Sequence, residues 1–208
     1  MEKVIIWIHI PKTGGKSVVK MLEQKYKTLQ VYQIRGGFVY DTNEESLTEK
    51  IVRVKDVKTL NECMKYASYN RYEAIIGNLV AKEALNSALN YYGEVELYCV
   101  IREPLERTYS EYCHNSFHFN MKTDYETFCK AFPNTIHTHT SGNLDLFKFV
   151  GLFQNFHSDM IKLGFVVEHE NKSDGKPRIE VDKSIATKYN LLDIDLYNNF
   201  LKINGTNT

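Results

Sequence analysis

Twenty-six Lys and Arg balance twenty-six Asp and Glu in 208 residues, so the chain has no net charge to offer. That absence excludes a global positive field for nucleic acid or an anionic membrane, and any anion must be held by a local site. Cysteine is also scarce. Cys63, Cys99, Cys113 and Cys129 form no CxxC pair, which argues against a metal site or disulfide framework and leaves buried or incidental thiols. No stretch approaches the roughly 20 apolar residues of a membrane span. The amino-terminal run VIIWI is too short for a signal-peptide core. The expectation is a soluble, cytoplasmic protein without a metal, naturally soluble rather than trimmed because it opens on Met.

With 43% hydrophobic and 25% charged residues, the composition fits one compact domain over residues 1–208. Val4 to Ile8 does not alternate and reads as a fully buried strand. KSVVKMLEQKY (16–26) puts Val18, Val19, Leu22 and Tyr26 on one helical stripe. Strands are expected at 73–77 and 95–101, with helices over 60–67, 81–92 and onward from Pro104, which suits a first helical turn. Residues 31–56 hold ambiguous strands. Beyond Asp124 the chain reads as mainly helical, through YETFCKAF, NLDLFKFV, QNFHSDMIKLGF and LDIDLYNNFL, with a polar loop at 169–178. The fold class is therefore α/β, a P-loop-like three-layer arrangement with a central, mostly parallel sheet flanked by helices and a helical carboxyl-terminal part.

Directly after the first strand comes HIPKTGGKS (9–17). Amides at a helix start lack intrahelical partners and carry the positive end of the dipole, so they bind anions. Gly14 and Gly15 allow close backbone approach, while Lys12, Lys16, Thr13 and Ser17 add charge and hydroxyl donors. A plain glycine turn accounts for the glycines and leaves the donors unexplained. The nucleotide triphosphate loop GxxxxGK[ST] is only half matched, because Ile10 stands at its first glycine. A kinase also wants an acidic residue on a neighbouring strand for magnesium, and only Glu103 comes close.

VIREPLERTYSEY (100–112) supplies a second anchor. Ligands of open α/β sheets bind at the carboxyl ends of strands, so Arg102 is expected to face the crevice of the glycine loop, with Ser110 two turns along the next helix. A planar guanidinium suits a terminal phosphate, since its fork bonds two oxygens. The competing reading is a surface arginine paired with Glu103 or Glu106.

Together, HIPKTGG and IREPLERTYSEY resemble the motifs of the sulfotransferase superfamily, in its carbohydrate branch related to heparan sulfate 2-O and 6-O enzymes. The resemblance implies transfer of a sulfuryl group from 3′-phosphoadenosine 5′-phosphosulfate (PAPS) to a hydroxyl of an acceptor, a carbohydrate in that branch, leaving PAP. It implies that Lys12, Thr13, Gly14, Gly15, Lys16 and Ser17 hold the 5′-phosphosulfate and that Arg102 and Ser110 hold the 3′-phosphate. VGLFQNFHSDM (150–160) resembles the family's strand-to-helix passage, and LLDIDLYNNFL (191–201) its final helix. Lys16 departs from the pattern, standing where the family usually has threonine. The loop 169–178 resembles a segment that folds over the nucleotide, which would bring Lys172, Lys176 and Arg178 to it.

Lys12 is the expected catalytic cation, neutralising the leaving phosphate. The family's histidine base after the second core strand is replaced here by Asn78, which is no base at neutral pH. Three readings stay open: a base from elsewhere, with His137 and His139 or His114 and His118 as candidates; a shifted alignment with Glu83 as base; or a protein that binds PAPS or PAP without turnover. An ATP- and magnesium-dependent P-loop kinase is the other enzyme reading. His9 reads as structural.

Overall fold

The buried strand expected at the amino end is the centre of the molecule. The computed structural model describes residues 2–33, 51–54, 56–167 and 179–204. Within them β1 (Lys3–Ile8) is buried at every position after Lys3. Around it lie β2 (Thr28–Gln33), β3 (Ile51–Val54), β4 (Ala74–Gly77), β5 (Glu94–Ile101) and β6 (Phe147–Leu152). The strand order is β3-β2-β4-β1-β5-β6, and each neighbouring pair is parallel. Parallel pairing needs crossovers, and the helices provide them on both faces.

These helices are α1 (Gly15–Lys25), α2 (Val57–Tyr69), α3 (Ala81–Ala88), α4 (Pro104–His118), α5 (Tyr125–Ala131), α6 (Thr135–Thr140), α7 (Phe156–Lys162) and α8 (Leu191–Ile203). Side chains alternate across a strand, so β1 feeds two cores. Val4, Ile6 and Ile8 pack with Leu60 and Met64 of α2, Ala84 of α3 and Tyr197 of α8. Ile5 and Trp7 pack with Val18, Met21 and Leu22 of α1 and Met160 of α7. Each fully buried aliphatic side chain contributes about 1.5–3 kcal/mol. The result is three layers, helix on sheet on helix. A smaller cluster of Tyr112, Tyr125, Phe128, Cys129 and Ala186 joins α4, α5 and the turn before α8.

One expected helix is a strand. NLDLFKFV (143–150) forms a short 3-10 turn at Leu144–Leu146 and then enters β6. The register explains the misreading: Leu97 pairs with Phe147 and Tyr98 with Phe149, so Lys148 is the extra residue of a bulge. Phe147 therefore packs into the core of Ile6 and Phe149 into that of Trp7. A bulge that sends residues two apart to opposite faces removes the alternation by which a strand is recognised. The passage from Val150 to Met160 is strand, turn and helix as the resemblance implies.

The ambiguous region 31–56 contributes β3 and the second half of β2, which begins earlier, at Thr28, and the loop 169–178 with Lys172, Lys176 and Arg178 lies outside the described residues. Cys63, Cys99 and Cys129 are buried; burial pushes the Cys63 thiol up to about 11 and raises Cys99 as well. Among the described residues no helix is long and apolar enough to cross a membrane.

Candidate active site

β1 and β5 run side by side, with Ile8 opposite Cys99, so the segments that leave them emerge together. After β1 the chain turns through Lys12, at φ 69°, and Gly14, at φ 88°, into α1. Lysine is uncommon in the left-handed region, and strain of this kind clusters at ligand clamps. Thr13 is buried and donates its hydroxyl to the Ile10 carbonyl at 2.7 Å. In this conformation it staples the loop instead of presenting its proton to the crevice. A Cβ at Gly15 would lie 2.1 Å from His9 Nε2, so the glycine admits the imidazole against the loop. Lys16 is exposed at the second residue of α1, and Ser17 is buried at the third.

Among the described α-helices, α1 and α6 start with neither a side-chain cap from the N-cap residue nor an acidic residue in the first turn. Asp56 caps α2, Glu103 caps α4 and Asp124 caps α5. Glu83, Asp159 and Asp193 stand in the first turns of α3, α7 and α8. At α6 the Asp193 carboxylate accepts from the Ile136 and His137 amides, at 2.9 Å and 2.7 Å. Among the described residues no carboxylate is seen to serve the first amides of α1, the arrangement in which a helix start can take an anion.

Arg102 follows β5 and donates from Nη1 to the Lys12 carbonyl at 3.5 Å. The two expected anchors thus meet across adjacent strands. Its guanidinium carbon stands over the Phe153 ring, 4.8 Å from the centroid, and Nη2 lies 3.9 Å from Glu106. Burial pulls the Arg102 pKa below its ordinary value, with Glu106 and Glu103 opposing. Glu106 also pairs with Lys183. Ser110 is one turn beyond Glu106 on the same stripe of α4. Glu103, the acid next to the strand, accepts from the Leu105 and Glu106 amides at 3.1 Å and 2.7 Å, so its carboxylate closes α4 rather than offering magnesium a ligand. Among the described residues no group of three His, Cys, Asp or Glu is arranged to hold a metal.

Beside the loop lies a polar cluster that the motifs alone did not reveal. Burial pushes the His9 imidazole down to about 4, with the nearby charges of His139 and Lys12 adding to the shift and the Asn78 side chain opposing it. His9, Lys12, Asn78 and His139 therefore converge where β1 and β4 end. Asn78 Oδ1 is buried without a hydrogen bond of good geometry. His139 donates from Nδ1 to the Leu79 carbonyl at 2.9 Å, since a carbonyl can only accept. The neutral ring then carries its basic lone pair on Nε2.

The other histidines expected as candidate bases fall elsewhere. His137 is two residues from His139 on α6, about 200° around the helix, and its ring lies against Gly142. His114 and His118 stack on each other with ring centroids 4.4 Å apart. They are ten and fourteen residues past Pro104 on α4, about 15–20 Å from its start at 1.5 Å per residue. Glu83 sits in the first turn of α3. The spacing HTH announces a histidine pair, but only the helix geometry separates them.

No family model and no curated protein matches the chain. A crystal structure of a sulfotransferase from Alicyclobacillus acidocaldarius superposes with a TM-score of 0.53, covering 97% of this chain and 96% of that one at 12% identity. The fold is shared with that sulfotransferase. A de novo designed protein of P-loop NTPase fold aligns with a TM-score of 0.36 and 16% identity, over 62% of this chain and 87% of that one.

Proposed function

We propose that the chain transfers a sulfuryl group from PAPS to a hydroxyl of an acceptor, with a carbohydrate as the acceptor class the resemblance favours. The contact of Arg102 with the Lys12 carbonyl carries this reading, because it makes one crevice of two anion anchors. A nucleotide with separated anionic groups at its 5′ and 3′ ends fits such a pair. The open amides at the start of α1, with Lys12, Gly14, Gly15, Lys16 and Ser17, hold the 5′ end, and Thr13 braces the loop. Arg102 and Ser110 hold the 3′-phosphate. Bound there, PAPS supplies a sulfuryl group attached to a good leaving phosphate.

Lys12 and the loop amides neutralise the negative charge that gathers at the reacting end, and they are fixed before it forms. His139 is the base. Its Nδ1–H bond to Leu79 holds the tautomer with Nε2 basic, and at neutral pH an imidazole is matched to taking a hydroxyl proton. Asn78 braces the His9 imidazole beside the loop. The kinase reading is disfavoured by Glu103, whose carboxylate caps α4. Binding of PAP without turnover is favoured by one observation, the asparagine where the resemblance expects a base.

Calorimetric titration with PAP, beside ATP and magnesium, tests the reading on the wild type and on Arg102→Ala. PAP is expected to bind in preference to ATP and to lose about a hundredfold in affinity in the variant, as for a charge-assisted pair. ATP preferred over PAP sinks the reading. His139→Ala, assayed with PAPS and a carbohydrate acceptor, separates the remaining two: a loss of turnover of about a hundredfold at unchanged PAP affinity supports transfer, and no turnover even in the wild type supports the binding protein.

A further inference from the structure

Among the described residues the polar contacts of Arg102 are long. Its Nη1 reaches the Lys12 carbonyl at 3.5 Å and its Nη2 reaches Glu106 at 3.9 Å, both at the outer limit for such bonds. The firmest neighbour is the Phe153 ring, over which the guanidinium carbon stands at 4.8 Å. A guanidinium held over an aromatic face keeps its N–H donors available for an anion at its edge.

Phe153 is itself held. It opens the 3-10 turn Phe153–Asn155 between β6 and α7. The Leu152 amide before it donates to Asp159 Oδ2 at 3.2 Å, and Gln154 after it donates to the Tyr197 hydroxyl at 3.3 Å. The ring packs onto the core of Trp7 and Val18. Phe156, at 6.4 Å between ring centroids, lies against Gly14, where an added Cβ would come within 3.2 Å of its ring. One aromatic step therefore touches both anchors, Arg102 through Phe153 and the glycine loop through Phe156.

We infer that Phe153 is a positioning residue that fixes the Arg102 fork at the distance from the glycine loop needed to grip both phosphates of one nucleotide. The inference rests on the proposed PAPS site and adds what sets its span. Its specific consequence is selectivity for a 3′-phosphate. A ligand bound by the loop alone does not depend on Phe153, whereas a ligand bound by both anchors does.

The test compares PAP with adenosine 5′-phosphate, which lacks the 3′-phosphate, on the wild type, Phe153→Leu and Phe153→Tyr, with thermal midpoints recorded for each. In Phe153→Leu, PAP affinity is expected to fall about tenfold while adenosine 5′-phosphate changes less than about twofold, and Phe153→Tyr, which keeps the ring, is expected to retain the wild-type preference. If the leucine variant does not fold, Phe153→Met is read the same way. An unchanged preference in Phe153→Leu overturns the inference, and so does an equal loss for both ligands, which is what a merely structural role gives. A wild type that binds both nucleotides equally brings down the PAPS reading and the inference with it, an outcome distinct from failure in the variant alone.

Discussion

Two helices of the molecule begin in the same chemical need and meet it differently. The first amides of α6 are bound by Asp193, a buried carboxylate from α8 more than fifty residues away. Those of α1 have neither cap nor first-turn acid. A chain that supplies its own anion at α6 gains a junction between distant segments. Leaving α1 without one, in a strained loop beside two cations and Arg102, gives up stability for a place where a foreign anion is the cap. On the proposed reading the difference is that between a structural helix start and a binding one, although both obey the same electrostatics.

The largest expected effect removes the internal anion. Asp193→Ala strips two backbone amides of their partner inside the structure, and breaking a buried charge-assisted network of this kind costs about 3 kcal/mol. Burial raises the Asp193 pKa while those two amides pull it down, so the carboxylate is kept by the bonds it accepts. Chemical denaturation of the variant measures the loss, and PAP affinity of the folded fraction should stay near that of the wild type. A loss below about 1 kcal/mol would mean that α6 does not need its anion, and the contrast with α1 would collapse.

The second effect is a pH dependence on the α1 side. His9 has a pKa of about 4 in the folded protein against 6.5 ordinarily. The unfolded chain therefore binds the proton more readily, and stability rises with pH across that window. It is fully present above about 6.5 and is lost as pH falls toward 4, by about 3 kcal/mol at most for this one group. Denaturation at pH 7 and pH 4.5 on the wild type and on His9→Gln reads it, and the variant should show the shallower fall. Equal slopes in the two proteins would show that His9 is not held neutral against the loop.

Much of this contrast was legible in the sequence, for reasons that differ by element. A non-alternating apolar run, two glycines and a helical stripe identify β1, the loop and α1, because each signal is local. Arg102 was legible because a strand end followed by proline fixes where the next helix starts. β6 was misread because its bulge at Lys148 sends Phe147 and Phe149 to opposite faces. The Asp193 cap was invisible, since no spacing rule links residue 193 to 136. His139 could be named beside His137 but not preferred to it, because the choice depends on which side of α6 meets Leu79. Phe153 had no signal beyond being aromatic, and its role emerges only from the ring beneath Arg102.

The smallest expected change bears most directly on the comparison, because it gives α1 what α6 already has. Lys16→Glu places an acid at the second residue of α1, an exposed position where no packing is disturbed. An acid in the first turn stabilises a helix by about 0.3–1 kcal/mol at low salt. The same charge occupies part of the field that would hold a phosphate or sulfate and removes a cation from it. Stability is therefore expected to rise slightly while PAP affinity falls about tenfold, and both changes should shrink as salt is added. Paired denaturation and titration at low and high ionic strength measure them together. If affinity is unmoved, the amides of α1 are not the anion site, and its bare start is a helix end satisfied by water like any other. Stability and affinity moving in opposite directions from one exposed substitution would show that the missing acid of α1 is what keeps the site open.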